Sequence, residues 1–234
     1  MIQHEQTKMF QLGISVNCAV YAYDGESHKV LLIRRKRAPF ENAWALPGKL
    51  IAPNDDLDAT VARIIKASTG IKDEDIFYSR QIRAFVDTDR HPFGRVVSIA
   101  YICLVRYTEF EPQDSDLFSM PKWFAEDKIP KLVFDHDDII VSSKRRLVDS
   151  LRTKPIVFQL LNKEFSLPEL QSVYESILDT ELDKRNFRRK LRDMPFIEDT
   201  GFLQKVHQYR PARLYKYNHE TFRAMKAKGY VFSL

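Results

Sequence analysis

A chain of 234 residues, 44% of them hydrophobic and 29% charged, is long enough for one large or two modest folded cores and is neither fibrous nor disordered in composition. No apolar run approaches the ~20 residues that a membrane-spanning helix needs, and the start, MIQHEQTKMFQ, lacks the apolar core of a signal peptide, so no membrane partner is expected and the location is read as cytoplasmic. The net charge of +5 is unevenly spread: residues 151–234 hold 16 Lys or Arg against 10 Asp or Glu, leaving −1 for residues 1–150, and the basic end points toward a polyanion.

In chain order, GISVNCAVYAY and HKVLLIRR read as two strands joined by the turn-rich DGESH. Further strands are expected at SRQIRAFVD and RVVSIAYICLVRY, and helices over 56–69 and 136–152, where apolar residues recur with helical spacing. Cys18 and Cys103 each lie inside an apolar strand-like run without a neighbouring Cys or His, which predicts buried free thiols rather than a disulfide or metal ligands. Pro155 biases Lys154 away from helical geometry, so a first domain of mixed α and β structure is placed at 1–152 and a second at 153–234.

The second domain opens with a helix that Ser166 caps, with Glu169 completing a capping box and Leu170, Val173, Tyr174, Ile177 and Leu178 forming one buried face. Asp183 then caps KRNFRRKLRDM. On that helix Phe187, Leu191 and Met194 share one side, while Arg185, Arg188, Arg189 and Arg192 share another at i, i+3, i+4, i+7. The segment FIEDTGFLQKVHQYRPARLYKYN follows as a two-stranded ribbon, completing a winged helix-turn-helix. The ordinary alternative is a solvated basic face. Its place on the second helix of a helix-turn-helix favours double-stranded DNA, with Lys184, Arg185, Asn186, Arg188, Arg189 and Arg192 on the helix and Arg210 and Arg213 on the wing as contacts. The ribbon tyrosines Tyr209, Tyr215 and Tyr217 are read as packing a small core rather than stacking on bases.

The stretch WALPGKLIAPNDDLDATVARIIKASTGI resembles the Nudix box: Gly, five residues, Glu, seven residues, Arg-Glu-apolar-any-Glu-Glu-any-Gly-apolar. Arg63, Ile65 and Gly70-Ile71 match, Asp55 falls on the first glutamate, and Lys49 falls on the first glycine. The three helix glutamates are replaced by Ile64, Ala67 and Ser68. In that family the three carboxylates converge on one side of a helix and hold divalent cations that bridge a diphosphate and activate water. Asp55 alone cannot assemble such a cluster; Asp56 and Asp58, the substitutes at hand, lie at the helix start, with Asp56 roughly 12 Å from Ile64 at ~1.5 Å per residue. No catalytic residue and no metal ligand is therefore assigned, and the pocket is read as a receptor.

With SLPELQSVYESILDTELDKRNFRRKL and RPARLYKY, and with DTDRHPFGRVVSIAYICLV in the front domain, the chain from about residue 10 to 217 resembles the NrtR family, Nudix-related transcriptional regulators of bacterial NAD metabolism. The resemblance implies an α+β protein, an α/β/α sandwich of Nudix type followed by the winged helix. It further implies a homodimeric repressor of NAD synthesis or salvage genes on an inverted-repeat operator, with ADP-ribose as effector and no cofactor. Candidate ligand residues are Arg34, Arg35 and Arg37 at the end of the strand before the box, Lys49 and Arg63 within it, and Arg83, Arg90 and His91 around the SRQIRAFVD strand and its loop. Phe40 and Phe93 are candidates to stack on adenine. The alternatives are an active ADP-ribose pyrophosphatase, a sugar-responsive regulator of the same architecture, and a protein-interaction module that does not bind DNA.

Overall fold

The structure, a computed structural model, describes residues 12–108, 118–204 and 211–234. They fall into two compact units, one formed by residues up to Ala22 with Lys29–Arg146, the other by Tyr23–His28 with Leu147–Leu234. No helix among the described residues is long and apolar enough to cross a membrane.

The first unit is built on β1 (Gly13–Tyr23), β2 (His28–Arg35), β3 (Trp44–Ala45), β4 (Gly48–Leu50), β5 (Ile76–Phe85), β6 (Val96–Val105) and β7 (Phe118–Ala125). Their spine runs β3-β2-β1-β6-β5, with β4 paired to β1 and β7 to β2. The central strand β1 is buried from Ser15 onward and runs parallel to β6. Burial on both faces accounts for its almost uninterrupted apolar sequence. Successive side chains leave a strand on opposite faces. Val16, Cys18 and Val20 accordingly join Val61, Ile64 and Ile65 of helix α1 (Leu57–Thr69) in one apolar cluster. On the opposite face Tyr21 shares a 2.7 Å hydrogen bond with Ser143 of helix α2 (His136–Thr153). The result is the helix–sheet–helix sandwich expected from the sequence. Asp56 caps α1 through Ala59 N, and Gly70, at φ 72°, supplies its left-handed stop. Both cysteines are buried and free.

In the second unit, α3 (Leu167–Leu178) carries the expected capping box of Ser166 and Glu169, and α4 (Lys184–Arg192) is capped by Asp183. A three-stranded antiparallel sheet orders β8 (Glu164–Ser166), β10 (Ala212–Tyr217) and β9 (Ile197–Gln204), with β10 central. Phe187, Leu191 and Met194 are all buried. Tyr217 stacks on Phe158 at 4.8 Å and meets Phe196 edge-on, so it packs a core as expected. The hydroxyl of Tyr23 donates to Ser172 Oγ at 2.9 Å, and His28 meets Ser176 Oγ at 2.8 Å through its backbone N–H.

The sequence reading leaves β7 and α5 (His219–Ala227) unassigned. Pro121 interrupts β7, where Met120 adopts φ 51° and the register with β2 shifts, so no clean alternation survives. Helix α5 buries no residue and is set by its cap, Asn218, which accepts from Thr221 N.

Gly48 lets β4 approach β1. A Cβ there would lie 2.2 Å from Asn17 Nδ2 and 2.7 Å from the Val16 carbonyl oxygen, and the second neighbour is backbone that cannot turn aside. Gly48→Ala is expected to cost about 1–3 kcal/mol, as overpacking does, lowering the urea midpoint without changing the slope. An unchanged midpoint would contradict this approach.

Candidate functional site

A cleft of about 420 Å³ opens in the first unit beside β1 and β4. Arg35, Arg37 and Lys49 bring three cations to its lining, and His91, Phe93 and Phe134 bring rings. Arg35 Nε donates to the Pro39 carbonyl at 2.7 Å, which aims its guanidinium over the Phe134 ring at 5.0 Å. The His91 ring lies nearly parallel to Phe134, 5.3 Å away, and burial, with the nearby Arg90 and Arg35 charges, lowers its pKa. Phe93 is 72% exposed, an apolar ring at the mouth with nothing covering it among the described residues.

The remaining lining is polar and preset. Asn17 Oδ1 accepts from Ser98 Oγ at 2.6 Å, while the buried Ser15 Oγ has no protein partner. The Leu46 backbone N–H donates to His136 Nδ1 at 3.0 Å, which leaves the imidazole proton on Nε2. Burial pushes the His136 pKa down to about 3, so this ring stays neutral.

Of the residues singled out from sequence, Arg37, Lys49, Arg90, His91 and Phe93 line the cleft, as does Arg35. Arg90 is nonetheless structural: its side chain is buried and clamps Asp135 through Nε at 2.9 Å and Nη2 at 2.6 Å. Phe40 stands in an adjoining shallow recess, edge-on to Phe134 at 5.0 Å. Three arginines do not line the cleft. Arg34 lies over the Trp44 ring, Arg83 lies 4.0 Å over Phe85, and Arg63 is held by Asp55 and Thr60. Ser15, Asn17, Phe134 and His136 are lining residues that the sequence reading missed. Polar side chains inside the apolar run of β1 were the one signal available for the first two.

The residues present do not fit the divalent cations of a Nudix box. Ile64 is 2% exposed and packed in the core, and Ser68 is buried with its hydroxyl donating to the Ile64 carbonyl. Asp55 is engaged: the Ala52 N–H and the Arg63 guanidinium hold its pKa at about 2, and Lys49 lies 3.5 Å away. Among the described residues no group of three or more His, Cys, Asp or Glu is placed to hold a metal.

On α4, Arg185, Arg188, Arg189 and Arg192 are all exposed, and none has a carboxylate within ion-pair distance among the described residues. Arg188 and Arg192 line a groove of about 780 Å³ with Arg213, Pro211 and Tyr215 of the wing. Arg213 reaches Asp199 at 2.6 Å, an exposed pair of the weak kind. Lys184 is exposed at the first helical position. Asn186 lies on the flank and lines a different cavity. Arg210 lies outside the described residues.

The neutral His136 gives a pH dependence of stability. In the unfolded chain it takes a proton near pH 6.5, whereas in the fold it does so only near 3. Between those values the unfolded state binds more protons, so stability falls as pH falls, by up to about 1.4 kcal/mol per pH unit. Urea unfolding from about pH 6.5 to 4 should show this slope, and His136→Gln, which retains an acceptor for Leu46, should lose it. An identical slope in the variant would contradict the assignment.

The chain matches two family profiles: the NUDIX domain over residues 12–142 and the NrtR DNA-binding winged helix domain over residues 157–217. It is 30% identical over 208 residues to the ADPR responsive transcriptional repressor NtrR of Acinetobacter baylyi, covering 87% of this chain and 81% of that protein. It is 31% identical over 140 residues to the ADP-ribose pyrophosphatase of Methanocaldococcus jannaschii, covering 60% of this chain and 80% of that one. Its fold is similar to Shewanella oneidensis NrtR complexed with a 27mer DNA, with a TM-score of 0.74, 26% identity, and 94% and 97% of the two chains covered. The NUDIX domain of the same Shewanella protein complexed with ADP ribose gives a TM-score of 0.52 and 26% identity over 63% of this chain and 99% of that one. The chain thus belongs to the NrtR family, a Nudix domain joined to the NrtR DNA-binding winged helix.

Proposed function

We propose that the chain is a transcriptional repressor of genes for NAD synthesis or salvage, in which the Nudix unit binds ADP-ribose without cleaving it and binding releases DNA. The observation that carries this reading is a cleft that keeps its cations and an aromatic wall while its box helix has no carboxylate at Ile64, Ala67 or Ser68. Arg35, Arg37 and Lys49 are suited to a diphosphate, because charge-assisted hydrogen bonds to anionic oxygens are about twice as strong as neutral ones. Phe93 and His91 offer π-faces to adenine. The Nε2–H of His136 is a polar group available to a ribose hydroxyl. This donor set suits a nucleoside diphosphate sugar better than a bare pentose, which would leave the cations unmatched.

The DNA reading rests on the exposed arginines of α4. A homodimer would present two such helices to the half-sites of an inverted repeat, each in a major groove, with the wing arginines on phosphate. Arg185, nearest the helix N-terminus where base edges are met, and Arg189, one turn further on the same face, are assigned to bases. Arg188 and Arg192, facing the groove beside the wing, are assigned to phosphates.

Two outcomes are expected. First, wild-type protein with excess magnesium or manganese releases no AMP and ribose 5-phosphate from ADP-ribose, as product chromatography would show. Stoichiometric release of both would restore the hydrolase reading that the likeness to a pyrophosphatase keeps in view. Second, Arg185→Ala and Arg189→Ala each weaken operator binding by ~1–3 kcal/mol and relax sequence preference, while Arg188→Ala and Arg192→Ala each lower the salt slope by about one. Unchanged operator affinity in both members of the first pair would move the readout to another helix.

A further inference from the structure

A second cavity, of about 190 Å³, lies within the winged-helix unit, apart from the arginine face and the wing groove. Tyr174 and Leu178 of α3 contribute to its walls, as do Asn186, Phe187 and Lys190 of α4. Its interior is chiefly apolar. An apolar cavity of about 150 Å³ is known to accept benzene, so this one has room for a six-membered ring with one small substituent. Two further features narrow the occupant. Arg152 and Lys190 stand at its edge, both exposed and neither ion-paired among the described residues. The one acidic side chain in the lining, Asp183, spends a carboxylate oxygen on capping α4 through Asn186 N at 2.8 Å. The Tyr174 hydroxyl is buried, in a residue 1% exposed, with no hydrogen-bond partner. A buried hydroxyl without a partner is a standing cost that the fold alone does not relieve.

We propose that this cavity is a second small-molecule site, built for a small aromatic carboxylic acid whose ring enters the apolar interior and whose carboxylate meets Arg152 and Lys190. The site is chemically distinct from the nucleotide cleft: it has two cations at the rim instead of four in the lining, and room for one ring rather than a dinucleotide-sized ligand. Because Phe187 and Lys190 sit on the helix that carries the arginines, an occupant would bear directly on that helix.

The test uses the full chain with benzoate and benzyl alcohol, two rings of nearly the same size that differ in charge. Saturation-transfer NMR and thermal shift are expected to show benzoate binding in the millimolar range, about tenfold tighter than benzyl alcohol. Leu178→Trp, which fills the cavity, should abolish binding of both. Arg152→Gln combined with Lys190→Gln, both surface changes, should reduce benzoate to the affinity of benzyl alcohol without altering the thermal shift by ADP-ribose. Benzoate binding that survives the surface pair would overturn the proposal, as would equal affinities of the two probes or no binding of either. Displacement of benzoate by ADP-ribose would assign the acid to the Nudix cleft and overturn it equally. None of these outcomes depends on whether ADP-ribose regulates DNA binding.

Discussion

The packing of Ile64 and Ile65 against the underside of β1 is the contact from which the character of the first unit follows. Those residues tie α1 to Val16, Cys18 and Val20, so a position where related boxes place a metal-binding glutamate belongs here to the hydrophobic core. A carboxylate in such surroundings would have to be paired or protonated, since burying an isolated charge is costly. The helix is kept for its shape instead, with Asp56 at one end, Gly70 at the other, and Asp55 tied to Arg63 and Lys49. With no carboxylate at Ile64, Ala67 or Ser68, Arg35 and Arg37 of the cleft have none within ion-pair distance among the described residues, and cations so placed favour an anionic ligand.

The same division of charge runs through the whole chain. The front of the sequence is close to neutral and the rear carries the excess of Lys and Arg. Within the second unit that excess is concentrated on one face of α4, where four exposed guanidinium groups repel one another at low salt unless phosphates lie opposite. The apolar side of the helix, Phe187 and Leu191, is what fixes the orientation of the arginines, so specificity at the surface depends on packing in the interior.

Much of this was legible in the sequence because the signals were local. The capping box of Ser166 and Glu169 and the Asp183 cap each involve residues within five positions of one another, and both stand in the structure as read. The arginine stripe needed only helical periodicity. The cleft was legible in part, since Arg37, Lys49, His91 and Phe93 lie beside the box or in one loop. His136 and Phe134 escaped because they reach the cleft across long sequence separations; His136 meets Leu46 from 90 residues away. Arg34, Arg63 and Arg83 misled for the opposite reason. Arg34 and Arg63 stand beside or within the box and Arg83 on the strand that follows it, but their engagement by Trp44, Asp55 and Phe85 depended on packing that no spacing reveals. Asn186 belongs to the arginine helix in sequence yet turns about a quarter of the way round it, toward the small cavity.

A repressor of this kind requires ADP-ribose to bind the DNA-incompetent state more tightly than the competent one, because a ligand with equal affinity for both shifts nothing. Linkage then makes the effect reciprocal: operator DNA must weaken ADP-ribose binding by the factor by which ADP-ribose weakens DNA binding. Calorimetric titration of ADP-ribose into the protein, alone and with saturating operator duplex, measures that factor directly. The account predicts a lower ADP-ribose affinity in the presence of the duplex. Equal affinities in the two titrations would contradict it.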